Sequence, residues 1–107
     1  MNRKPLLIPL GEDRKVEISL SNLPANVTME NLEVTFTFSA GFKSVDFTMA
    51  DVHTTEDGKH YLALNTSELA PGDLKLSAHI RIPDEDFADN YRDEYPEFDL
   101  NAVIVQR

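Results

Sequence analysis

Between Pro83 and Tyr95 the sequence crowds carboxylates and aromatic rings into one stretch, Pro83-Asp84-Glu85-Asp86-Phe87-Ala88-Asp89-Asn90-Tyr91-Arg92-Asp93-Glu94-Tyr95. Asp84, Asp86, Asp89, Asn90, Asp93 and Glu94 are hard oxygen donors of the kind Ca2+ prefers. Their spacing is not that of an EF-hand: counted from Asp84, the fifth position is Ala88, where a ligand is wanted, and no glycine follows it. Taken in pairs, the same carboxylates have the groups for general acid and base work. That work needs one of the pair desolvated, and a segment this charged is expected to be wet. Tyr91, Tyr95 and Phe87 offer ring faces for stacking on a sugar or on a partner protein. The plainer alternative is a solvated connection in which Arg81 and Arg92 offset part of the charge and Phe87 packs inward as an anchor. The candidate binding residues are therefore Asp84, Asp86, Phe87, Asp89, Tyr91, Arg92 and Tyr95.

Other constellations carry less. His53 and His60 flank an Asp57-Gly58 pair, and as neighbours across a hairpin mouth they are expected to lie close. With Glu56 or Asp57 they have the makings of a zinc site, the alternative being two exposed polar residues. The sequence has no Gly-x-Ser-x-Gly elbow and no cysteine nucleophile. No catalytic residue and no metal ligand is assigned, and an enzyme is not expected.

The acidic stretch leaves the end of a strongly alternating segment, Leu74-Lys75-Leu76-Ser77-Ala78-His79-Ile80-Arg81-Ile82, which predicts a strand with its aliphatic side chains inside. Leu6 to Leu10 reads as a short edge segment, because Pro5 and Pro9 cannot donate to a ladder. Val16, Ile18 and Leu20 alternate with polar residues. Leu32, Val34, Phe36 and Phe38 do so more strongly, with branched and aromatic types. Ser21 to Thr28 reads as a loop, and Thr28 to Asn31 as a single capped turn. After Gly41, the residues Val45, Phe47 and Met49 resume the alternation. Asp57-Gly58 marks a hairpin whose return strand is Tyr61 to Leu64. Thr66 to Gly72 is a corner whose hydroxyls cap a short turn, with Leu69 plugging the core. Phe98, Leu100, Ala102 and Ile104 form the last strand. Val103 and Val105 make its other face apolar, so it needs a cover from the N-terminal segment or another subunit. About seven strands and no useful helix predict an all-β, antiparallel two-sheet sandwich, with a small barrel as the alternative.

At 107 residues the chain has the length of one domain, taken as 1–107. The absence of cysteine excludes disulfides and thiolate metal sites. A net charge of −9 argues against nucleic acid as partner, since phosphate binding needs a basic footprint. The N-terminal leucines follow basic residues but fall short of the roughly 7–15 apolar residues of an export core. No segment reaches membrane-spanning length, so no membrane partner is expected.

The corner Leu64-Asn65-Thr66-Ser67-Glu68-Leu69-Ala70-Pro71-Gly72-Asp73-Leu74-Lys75-Leu76 resembles that of Ig-like domains at the N-terminus of phage baseplate upper proteins and related prophage tail proteins. The stretch Ile82 to Glu94 looks like a loop of small prophage-encoded β-proteins. The resemblance covers the C-terminal part of the chain, and the first half only as strand pattern. It implies an Ig-like sandwich acting as a non-catalytic attachment module with protein partners in a phage-like assembly, or as a homo-oligomer. No functional residues are carried over from it. It also implies a cytoplasmic protein that joins the virion on assembly. Baseplate proteins continue into trimerising and receptor-binding parts, whereas this sequence stops at Arg107, which points to an adaptor. The alternative function is carbohydrate or calcium binding through the 83–95 loop.

Overall fold

The alternating segment forms the axis of the larger sheet in a computed structural model that describes residues 4–19 and 32–107. Strands β1 (Leu6–Pro9), β2 (Asp13–Ile18), β3 (Glu33–Ala40), β4 (Lys43–Thr48), β5 (His53–Thr54), β6 (His60–Asn65), β7 (Gly72–Pro83), β8 (Tyr91–Glu94) and β9 (Glu97–Val105) follow in chain order. The larger sheet has the order β1-β9-β7-β3-β4, with β8 also paired to β7, and the smaller is β2-β6-β5. Inward residues of both sheets meet in a common core that includes Phe36, Phe38, Leu76, Ile80 and Ile82 against Ile18, Leu62 and Leu64.

This is an all-β, two-sheet sandwich. The triplet β2-β6-β5 stands where strands B, E and D of an immunoglobulin domain stand, and β4-β3-β7-β9 where the C-F-G sheet with its added strand stands. The strands number nine among the described residues rather than about seven. The excess arises because short edge pieces pair too: β1, the two-residue β5, and β8, which is cut off from β9 at Tyr95-Pro96. The pairing is not wholly antiparallel, since β1 runs parallel to β9 with Leu7 beside Val103 and Pro9 beside Val105. The N-terminal segment thus covers the edge of the doubly apolar last strand, leaving Leu6 and Leu7 exposed. Asn101, at φ 47, lies in the irregularity of β9, where its amide nitrogen donates to Asp99 Oδ1 and its Nδ2 to the Lys4 carbonyl.

Smaller departures have local causes. The strand containing Val45 and Phe47 ends at Thr48, whose hydroxyl accepts from Ala50 N while Asp51 Oδ2 accepts from Thr48 N, so Met49–Asp51 turns as a 3-10 helix. At the corner, Asn65 rather than a hydroxyl caps the short 3-10 helix Thr66–Glu68, accepting from Ser67 N at 2.9 Å. Leu69 does plug the core, at 2% exposure. The turn at Gly41 touches this corner, and a Cβ on Gly72 would lie 2.8 Å from Gly41 N. The expected positions of Leu20, the 21–28 loop and the 28–31 turn lie outside the described residues.

Candidate interaction surface

β7 turns Ala78, Ile80 and Ile82 into the core and so must present His79 and Arg81 on the outer face of the larger sheet. The chain then reverses and returns as β8, which sets Asp93 opposite Arg81 and Tyr91 opposite Pro83. The acidic stretch is therefore a β-hairpin with a short tip, not the loop expected over 83–95. Its tip closes on itself: Asp84 N donates to the Asn90 carbonyl at 2.9 Å, and Asn90 N to the Phe87 carbonyl at 2.9 Å. Asp84 and Asp89 side chains accept from Asp86 N and Tyr91 N, at 3.0 and 3.1 Å. Asn90 takes φ 65, a conformation asparagine tolerates.

On the outer face the contacts run in a chain. The Tyr95 ring lies flat on His79, with centroids 4.6 Å apart and planes 7° from parallel. His79 Nε2 is 2.9 Å from Asp93 Oδ1. Arg81 donates through Nη2 to Asp89 Oδ2 at 2.7 Å and holds Nε 3.6 Å from Asp93. Its guanidinium also sits 4.5 Å from the centroid of the Tyr91 ring. On the opposite side of the hairpin, Arg92 bonds Asp84 Oδ2 at 3.1 Å and pairs with Glu94. The structure thus gathers Asp89 and Tyr91 around Arg81, sets Tyr95 on the neighbouring His79, and joins Asp84 to Arg92 on the other face. Asp86 and Phe87 stand apart at the tip. Phe87 does not anchor the segment: it is 47% exposed, because the hairpin projects past the core and Ile82 is the last residue of β7 turned into it.

His79, Arg81 and Asp93 hold this surface together and are missing from the candidate set read from sequence. The alternation of β7 placed the first two outward, but their partners lie across a strand pair whose register the sequence does not display. Beside them an open groove of about 420 Å3 runs over β3, bounded by Glu33, Thr35, Thr48, Met49, Ala50, His79 and Arg81.

The zinc arrangement is overturned by register. His53 lies opposite Tyr61, and His60 opposite Thr54, so the two imidazoles are one step out of line. His53 stacks on Tyr61 at 5.0 Å, while His60 Nδ1 meets Thr54 Oγ1 at 3.1 Å. Among the described residues no group of three or more His, Asp or Glu side chains is arranged to hold a metal ion. The arrangement can bury rings and offer charges; among the described residues, no serine hydroxyl bonds the His79 imidazole that Asp93 orients.

No protein-family model, curated protein or solved structure matches this chain.

Proposed function

We propose that this chain is a non-catalytic interaction module that docks into a larger protein assembly through the outer face of its larger sheet and the β7-β8 hairpin. The observation that carries this is the exposure of three aromatic side chains on one ordered hairpin, Phe87 at 47%, Tyr91 at 40% and Tyr95 at 72%. Aromatic rings held in place at little further entropic cost are the groups that anchor protein interfaces. The resemblance of the corner and of the acidic stretch to phage baseplate and tail proteins supplies the context. In that reading the protein waits in the cytoplasm and becomes part of the particle on assembly.

Co-expression with the products of the flanking genes, followed by size exclusion with light scattering, tests the proposal. Co-elution that is lost in a Tyr91→Ser/Tyr95→Ser double variant supports it. A strict monomer at high concentration that binds none of those products overturns it.

A second reading is a carbohydrate- or calcium-binding module. The 72% exposed ring of Tyr95, bordered by carboxylates, favours sugar stacking. Calcium has less support, because Arg92, Arg81 and His79 already engage Asp84, Asp89 and Asp93. A glycan array and calorimetric titration with Ca2+ separate these, and silence in both removes the reading.

A further inference from the structure

The groove over β3 has a charge pattern that the ion pairs around it leave unbalanced. Its one arginine, Arg81, is engaged by Asp89 and Asp93 on the hairpin side. Glu33 lies opposite Arg81 in the strand register and is exposed on the same face. Among the described residues Glu33 makes no ion pair. Asp51, on the turn that carries Met49 and Ala50, is taken up in capping that turn, accepting from Thr48 N through Oδ2. Met49, Ala50, Thr35 and Thr48 line the groove together with Glu33. An apolar wall beside an unmatched carboxylate suits a long side chain with a methylene stem and a cationic head.

We propose that this groove receives a lysine or arginine side chain from an extended, basic segment of the partner protein. The stem lies along Met49 and Ala50, and the head meets Glu33. The proposal rests on the docking reading and names the partner's chemistry. A chain of net charge −9 draws a basic segment toward itself from a distance, and the groove fixes where one side chain of it settles. Tyr95, flat against His79 at the neighbouring rim, offers the rest of the segment an exposed ring.

An amide-shift titration by NMR with tetralysine, and with tetraglutamate as control, tests this. Tetralysine is expected to shift the amides of Glu33, Thr35, Ala50 and Arg81, and tetraglutamate none of them. Glu33→Gln is expected to weaken tetralysine binding by about three- to five-fold, the worth of one exposed ion pair. Glu85→Gln, at the hairpin tip, is expected to leave it unchanged. An unchanged spectrum elsewhere in Glu33→Gln shows that the fold is intact. Shifts spread over the hairpin tip, or equal weakening by both variants, overturn the groove in favour of diffuse charge attraction. A flanking-gene partner lost in the Tyr91→Ser/Tyr95→Ser variant but retained unweakened in Glu33→Gln also overturns it, while leaving the docking reading standing.

Discussion

Thr66 has a fully buried side chain, the one buried polar residue among those described. Its hydroxyl accepts from Gly11 N at 2.9 Å and donates to the Glu12 carbonyl at 2.9 Å, tying the turn after β1 to the corner after β6. Thr66→Val keeps the shape and strands the Gly11 donor, so urea unfolding should show a loss of about 1–3 kcal/mol. Stability equal to the parent would mean that water replaces the hydroxyl. At the β5-β6 hairpin, the Thr55 hydroxyl donates to Asp57 and holds that carboxyl below its ordinary value against the opposing effect of burial, with lesser help from main-chain donors of Lys59 and Asp57 itself. A lowered folded value means that the associated stability is present above the unfolded aspartate range and is lost as pH falls through the folded one. Carboxyl-carbon NMR of Thr55→Val should show the Asp57 titration moving upward, and no movement would remove the hydroxyl as its cause.

The β7-β8 hairpin shows how an element beyond the core is held. Its ladder with β7 covers only the 80–83 segment, and Arg81 adds two carboxylate contacts and a ring contact. These groups are each more than a third exposed, so Arg81→Ala should cost the whole fold less than about 1 kcal/mol. Its effect belongs to the hairpin: hydrogen exchange at Asn90 and Tyr91 should quicken while Phe36 and Phe38 keep their protection. Unchanged exchange at the tip would show that backbone bonds alone order it. At the other end of the sheet, Gly72 at φ +148 faces the Gly41 turn with no room for a side chain. Gly72→Ala brings both strain and a clash, and thermal melts should register at least about 1–3 kcal/mol of destabilisation.

For the molecule as a whole, the decisive asymmetry is between side chains at the sheet interface and those on its acidic exit. Ile80 is 3% exposed between the two sheets, whereas Glu85 is exposed at the hairpin tip. Ile80→Asp should abolish folding by placing an unpaired charge in the core, while Glu85→Lys should leave the melting curve nearly unchanged. Circular dichroism of the two variants checks this, and equal tolerance would mean that the two sheets do not share that residue as a contact.

The class of fold was legible because β structure writes its burial into a period of two. Leu74 through Ile82 and Leu32 through Phe38 could each face the core in only one register. The Asp57-Gly58 hairpin was legible for a similar reason, since few residues tolerate that turn, whereas the corner turns at Thr66–Glu68 ahead of the expected Pro71-Gly72. Strand partners were not, because pairing depends on residues far apart in the chain. Hence the parallel seat of β1, the return of the acidic stretch as β8, the separation of His53 from His60 and the outward Phe87 emerged only in three dimensions. The candidate surface divides along the same line: composition marked its carboxylates and rings, but cross-strand register decided that His79, Arg81 and Asp93 would hold them and that Glu33 would be left facing a groove.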